Sequence, residues 1–337
     1  MSSRLKASLQ YILIILVTVF LIWLSLRGLH VEAGENKWDY LLNTWRQADK
    51  GWLLLMAAIA ILSHVMRAVR WKMLIAPTGH TTTTVHSFLS LMVGYLVNLV
   101  IPRGGEVSRC YNLFKLDKVP VDVSFGTVVT ERVVDLLCLL LLIGFAFVME
   151  STKLFEFIDT LPFGAQGDSS FPWHVVLYIT VPLALLVAAG YWLVRHNRKI
   201  RDFMVKTWAG IKKGLLSIFR LEHKGKFILY SIFIWFLYFL MSYCVLKAFP
   251  ATAHLGFSAV ISLFGIGSIA MAAPLPGGTG SYHVLVPQGL FFLYNIPRSE
   301  AVAFTFIFHG WQTLIMIVGG ALSLIVTSFL VKKSANN

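Results

Sequence analysis

Apolar residues run along this chain in long blocks rather than in narrow stripes. Nearly uninterrupted stretches cover 11–29, 52–75, 124–149, 173–194, 227–249 and 301–331. A helix crosses the hydrocarbon core of a bilayer in about 20 residues, which these blocks match. Lipid offers the backbone no hydrogen-bond partner, so each block is predicted to be helical. Two further apolar regions are built from shorter pieces. One starts with the run 85–101, and the other consists of 256–273 and 282–295. Each contains a Pro/Gly break, Ile101-Pro102-Arg103-Gly104-Gly105 in the first and Leu275-Pro276-Gly277-Gly278 in the second. Amphipathic segments complete the pattern. Trp38, Leu41, Leu42 and Trp45 recur at i, i+3, i+4 and i+7, and the apolar positions Ile200, Met204, Trp208, Ile211, Leu215 and Phe219 alternate with basic ones. Such spacing suits helices lying on a membrane surface.

Charge then orients the blocks, because cytoplasmic loops collect Lys and Arg. Arg4 and Lys6 place the N-terminus inside, and the balanced segment 27–51 suits the outside. The second block returns inward to Arg67, Arg70 and Lys72. If the run 85–101 crossed fully, Arg103, Arg109, Lys115 and Lys118 would lie outside. Those basic residues belong inside and the acidic segment 150–171 belongs outside, and both demands are met only if 85–116 dips in and turns back. Downstream, 195–226 holds ten Lys and Arg and is cytoplasmic, as is the pair Lys332 and Lys333. An odd number of crossings separates them, so 256–296 is read as a second re-entrant hairpin entering from the other face. The expected fold is an all-α polytopic membrane protein, one membrane domain over 1–337. It has about six full transmembrane helices plus two re-entrant hairpins, with both termini cytoplasmic. Residues 10–150 and 173–331 form two repeats inverted in the membrane. Broken helices at matching positions of such repeats point to a transporter's binding site near the midplane.

Composition agrees. The chain is 57% hydrophobic and 13% charged, against roughly 45–50% and about 25% for soluble domains. Its mean hydropathy is +0.73. The formal charge of +13 is gathered on one side of the membrane, so nucleic acid is not the expected partner. Cys110, Cys138 and Cys244 form no disulfide framework. The first apolar block is too long for a signal-peptide core, lacks small residues at its end, and is read as an uncleaved span.

Charges inside apolar blocks carry the candidate chemistry, since each costs about 2.5–3.5 kcal/mol to insert. Glu131, Arg132 and Asp135 share one block; Glu131 and Asp135 are four apart, and Arg132 is placed to pair with Asp135. Either they form an ion pair wetted by the interface, or one partner releases the other when a charged headgroup arrives. Asn98, Arg103, Gly104, Gly105, Glu106 and Arg109 surround the first break, where amides and guanidinium forks suit a phosphate. Arg67 and Arg70 either snorkel to headgroups or join that site. The second break has no Lys or Arg between Lys247 and Arg298. Pro276, Gly277, Gly278 and Gly280 there offer only backbone dipoles. His64 and His309 read as packing residues. No residue set has metal-site spacing and no nucleotide loop is present, so no cofactor is expected.

Four ordered motifs carry a resemblance: Arg67-Ala-Val-Arg70-Trp71, the run from Asn98 to Arg109, Glu131-Arg132-Val-Val-Asp135 and Pro276-Gly-Gly-Thr-Gly280. Together the chain resembles the lysylphosphatidylglycerol synthase transmembrane-region family, also called flippase-like domain proteins. In the full synthases such a unit is fused to a cytoplasmic aminoacyl-transferase domain. No such domain is recognised here, so the resemblance implies the lipid-translocating part and no enzyme activity. The expected function is movement of an anionic or modified phospholipid, or a polyprenyl-phosphate lipid, across a bacterial inner membrane. Its partners would be anionic membrane lipids, and a second copy or an envelope-synthesis component. The alternatives are a membrane-embedded transferase acting on a lipid carrier, and a non-transporting subunit of an envelope-synthesis complex.

Overall fold

A computed structural model describes residues 16, 18–27, 29, 36–160, 221–273 and 275–336. The apolar block 173–194 and the amphipathic segment 200–219 lie outside the described residues. Among those described, all regular structure is helical, in ten α-helices and short 3₁₀ turns. They are α1 Thr18–Arg27, α2 Lys37–Gln47, α3 Lys50–Ile75, α4 Thr84–Asn98, α5 Gly104–Asp117 and α6 Val121–Thr160, then α7 Lys224–Ala248, α8 Phe257–Ala272, α9 Ser281–Tyr294 and α10 Arg298–Asn336. By length and composition, Lys50–Thr78, Lys224–Ala248 and Arg298–Lys333 can each cross a membrane. The block 124–149 falls within α6, a single helix of 40 residues. Large apolar side chains line its outside, with Leu137, Leu141 and Val148 all more than half exposed, as are Leu322 and Phe329 on α10. Exposed apolar surface of that extent suits lipid rather than water. The protein is an integral membrane protein.

The two central helices, α3 and α7, pack along each other. Leu53, Met56 and Ala60 meet Met241, Cys244 and Val245 in one buried core, and the amide of Asp49 donates to the carbonyl of Ala248 at 2.8 Å. Asp49 also caps α3, accepting from the amide of Gly51 at 2.7 Å. Around this pair the remaining helices cross over. The α4–α5 pair packs on α3, α6 and α10, while α8–α9 packs on α6, α7 and α10.

Each expected hairpin is a pair of short helices. α4 and α5 have 15 and 14 residues, and α8 and α9 have 16 and 14. At 1.5 Å per residue each arm is about 21–24 Å long, short of the roughly 30 Å hydrocarbon core. The breaks use the same device. Arg103, after Pro102, has φ 58°, and Gly277, after Pro276, has φ 56°. The far ends match too. Lys118 and Asn295 end α5 and α9 in the left-handed conformation, and Pro120 and Pro297 each follow two residues later. The intervening Val119 and Ile296 are buried. Glycine allows the first pair to close, because a Cβ on Gly94 would stand 2.8 Å from the carbonyl oxygen of Gly105.

Candidate functional site

Helical spacing builds the site. Arg67 and Arg70 share one face of α3, and Glu131 and Asp135 share one face of α6. Where these faces meet, Glu131 is fully buried. Its Oε1 accepts from Arg67 Nη2 at 2.5 Å and Nε at 3.1 Å, and from Arg70 Nη2 at 3.2 Å. Its Oε2 accepts from Arg109 Nη2 of α5 at 3.0 Å. Asp135 accepts from Arg70 Nη2 at 2.7 Å. Among the described residues, three arginines thus converge on two carboxylates. Burying such a group is tolerated only with every charge paired and hydrogen-bonded. The Tyr95 hydroxyl accepts from Arg67 Nη1 at 2.6 Å, while Ser231 of α7 accepts from Arg70 Nη1 at 3.2 Å. The Arg109 guanidinium lies 4.7 Å from the centre of the Trp71 ring, and the Trp71 indole donates to Thr127 at 2.9 Å. The stacked cation is held by dispersion and by the ring's negative face.

Beside this knot lies a small pocket lined by Leu91, Gly94, Tyr95, Asn98, Gly105, Glu106, Arg109 and Arg132. Asn98 shapes it by accepting the Gly105 amide at 2.7 Å. Arg132 does not pair with Asp135 along α6 as its spacing suggested. It reaches across to Glu106 of α5 at 2.9 Å, and its side chain is 46% exposed. Asp135 is occupied by Arg70 instead, a partner on a different helix that local spacing cannot reveal.

Of the residues singled out in the sequence, Arg67, Arg70, Asn98, Gly105, Glu106, Arg109, Glu131, Arg132 and Asp135 are therefore assembled at one place. Gly104 opens α5, its amide donating to the Ile101 carbonyl at 2.9 Å, and Arg103 turns the chain; neither lines the pocket. Nor do Pro276, Gly277, Gly278 and Gly280. Their break is held by His309, whose Nε2 donates to the Gly277 carbonyl at 3.0 Å. His283 accepts the Gly280 amide at 3.3 Å, with its ring centre 4.8 Å from that of His309. A Cβ on Gly277 would stand 2.9 Å from Leu99, at the end of α4, so the two breaks touch. Sequence reasoning missed Leu91, Gly94 and Tyr95. Leu91, Tyr95 and Asn98 fall at i, i+4 and i+7, and extending the face of Asn98 backwards along α4 would have found two of them.

Comparison with known families matches residues 11–320 to the one described as "Lysylphosphatidylglycerol synthase TM region". The chain belongs to that family. Family relatives include a UPF0104 membrane protein of Methanocaldococcus jannaschii, 26% identical over 79% of this chain and 82% of its own length. A UPF0104 membrane protein of Methanothermobacter thermautotrophicus is 23% identical over 79% of this chain and 81% of its own. Glycosyltransferase AglD of Haloferax volcanii is 22% identical over 90% of this chain, which spans only 52% of AglD. No solved structure matches.

Proposed function

We propose that this membrane protein translocates a lipid with an anionic headgroup, and that the pocket beside Arg109 and Arg132 receives the phosphate. One observation carries the reading: three buried arginines share two carboxylates next to a pocket on a broken helix pair. A phosphate entering there finds unbalanced positive charge and guanidinium geometry that matches its oxygens. Glu106 and Glu131 hold Arg132 and Arg109 between visits. The headgroup class is an anionic or modified phospholipid, or a polyprenyl-phosphate lipid.

The same proposal includes two halves of opposite orientation, with re-entrant hairpins α4–α5 and α8–α9 and cytoplasmic termini. Its support is the recurrence of element lengths, 26, 15, 14 and 40 residues in α3–α6 and 25, 16, 14 and 39 in α7–α10. The crosswise packing adds to it, since α6 meets α8 and α9 while α10 meets α4 and α5. The approach of Leu99 to Gly277 supports a meeting of the two broken segments near the bilayer midplane. We assign the protein to a cytoplasmic membrane. A bacterial one follows from the sequence reading alone, and the relatives named above are archaeal.

Purified protein in liposomes, tested against a panel of headgroup-labelled lipids, checks this. Movement of at least one anionic lipid is expected, lost in Arg132→Ala. If no lipid moves faster than in protein-free vesicles, the translocase reading fails. The rival reading is a transferase acting on a lipid carrier, favoured by the name of AglD. It expects modified lipid rather than moved lipid in the same vesicles once a sugar donor is supplied.

A further inference from the structure

Two residues that line the pocket each bear a buried, unpaired polar atom. Oε2 of Glu106 and Nε of Arg109 are buried and have no hydrogen-bond partner among the described residues. Both residues line the pocket, and Arg109 is only 3% exposed. One orphan is an acceptor and the other a donor. A bare anion satisfies Arg109 and repels Glu106, while a cation does the reverse. Residues three apart on a helix have Cβ atoms about 5–6 Å apart, so the two demands fall within the reach of one small dipolar group.

We infer that this pocket selects a lipid whose phosphate carries a hydrogen-bond donor, a hydroxyl or a primary ammonium, on an arm of two or three carbons. The phosphate lies on Arg109 and Arg132, and the donor at its neighbouring carbon reaches Glu106. Glu106 is thereby a specificity residue, able to take up the donor as Arg132 turns from it to the phosphate. The inference rests on the reading of this pocket as a phosphate site and specifies what that phosphate carries.

Binding, measured apart from transport, tests the idea. The detergent-purified protein is titrated with four short-chain lipids of equal tail length. Phosphatidylglycerol and phosphatidylethanolamine carry a donor; phosphatidylmethanol and phosphatidylcholine have none. At least one donor lipid is expected to bind about tenfold or more tighter than phosphatidylmethanol, the scale of one buried acceptor left unmet. Preference for phosphatidylglycerol assigns a hydroxyl, and preference for phosphatidylethanolamine an ammonium. Glu106→Ala, checked for an unchanged melting profile, should shrink the gap to under about threefold, while Glu106→Gln, which keeps one acceptor oxygen without the charge, should retain part of it. Equal binding of phosphatidylmethanol and both donor lipids overturns the inference while leaving the anionic-lipid reading standing. A gap that survives undiminished in Glu106→Ala overturns the role of Glu106. If none of the four lipids binds, the anionic-lipid reading fails and this inference with it.

Discussion

At the scale of single residues, burial separates two kinds of charge. Glu131 satisfies three guanidiniums with no solvent to replace it. Removing one partner of a buried ion pair costs about 3–5 kcal/mol, so Glu131→Ala is expected to unfold in detergent at a markedly lower temperature. Circular dichroism melting against the wild type measures this. Arg132 is the opposite case. Its pair with Glu106 is half-exposed, and pairs of that kind contribute about 0–1 kcal/mol. Arg132→Ala should therefore melt nearly as the wild type does yet lose lipid movement in liposomes; equal loss of fold in the two variants would make Arg132 a structural residue. The sequence showed that Glu131, Arg132 and Asp135 needed a reason to be in an apolar block. It did not show their partners, because Arg70, Arg109 and Glu106 come from other helices and the choice among them is made by packing.

Elements were more legible than contacts. Long apolar runs and Pro/Gly breaks report on local backbone requirements, and these the sequence carries directly. The sequence marked both Pro/Gly breaks, and each separates two short helices, Thr84–Asn98 from Gly104–Asp117 and Phe257–Ala272 from Ser281–Tyr294. What it could not carry is the reason for each glycine. Gly105 is needed for close approach, since a Cβ there would collide with the Gly94 carbonyl and the Asn98 amide. Gly144 in α6 has nothing within 4 Å of such a Cβ, and alanine there gains about 1 kcal/mol of helix propensity. Gly105→Ala is thus expected to lower the melting temperature and Gly144→Ala to hold or raise it. Similar losses from both would mean that the α4–α5 crossing is not the cause. Gly278 combines φ 71° with a close Met271 side chain, so Gly278→Leu should slow lipid movement by distorting the second break, read in the same vesicle assay.

For the whole molecule, the recurrent order of helices fixes what inverted halves require of the two hairpin bases. Lys118 and Arg298 are exposed and sit at corresponding places, just beyond α5 and at the start of α10. In a Cys138→Ser background, cysteines at 118 and 298 should be labelled by a membrane-impermeant maleimide from opposite faces. Labelling from the same face would remove the inversion. The breaks offer a second probe. Leu99 lies against Gly277, so the double variant Leu99→Cys, Gly277→Cys should cross-link on oxidation and stop lipid movement until reduced. Failure to cross-link would separate the two breaks. The charge pattern along the sequence predicts such an opposition of halves, whereas the approach of Leu99 to Gly277 is a matter of packing that no local signal encodes.

Membrane voltage acts on the three-to-two ratio of arginines to carboxylates. An empty site carries an excess positive charge, and one bearing a monoanionic phosphate carries none. Each unit charge crossing the field is worth about 2.3 kcal/mol per 100 mV. In the proposed cycle, a potential negative inside would therefore draw the empty site toward the cytoplasmic face and leave the loaded site indifferent. Loading would then be favoured on one side and release on the other. For a singly charged lipid, 100 mV would sustain roughly a fiftyfold difference between leaflets, and for a zwitterion almost none. Liposomes clamped with a potassium gradient and valinomycin should show this directly, as outward accumulation that reverses when the gradient is reversed.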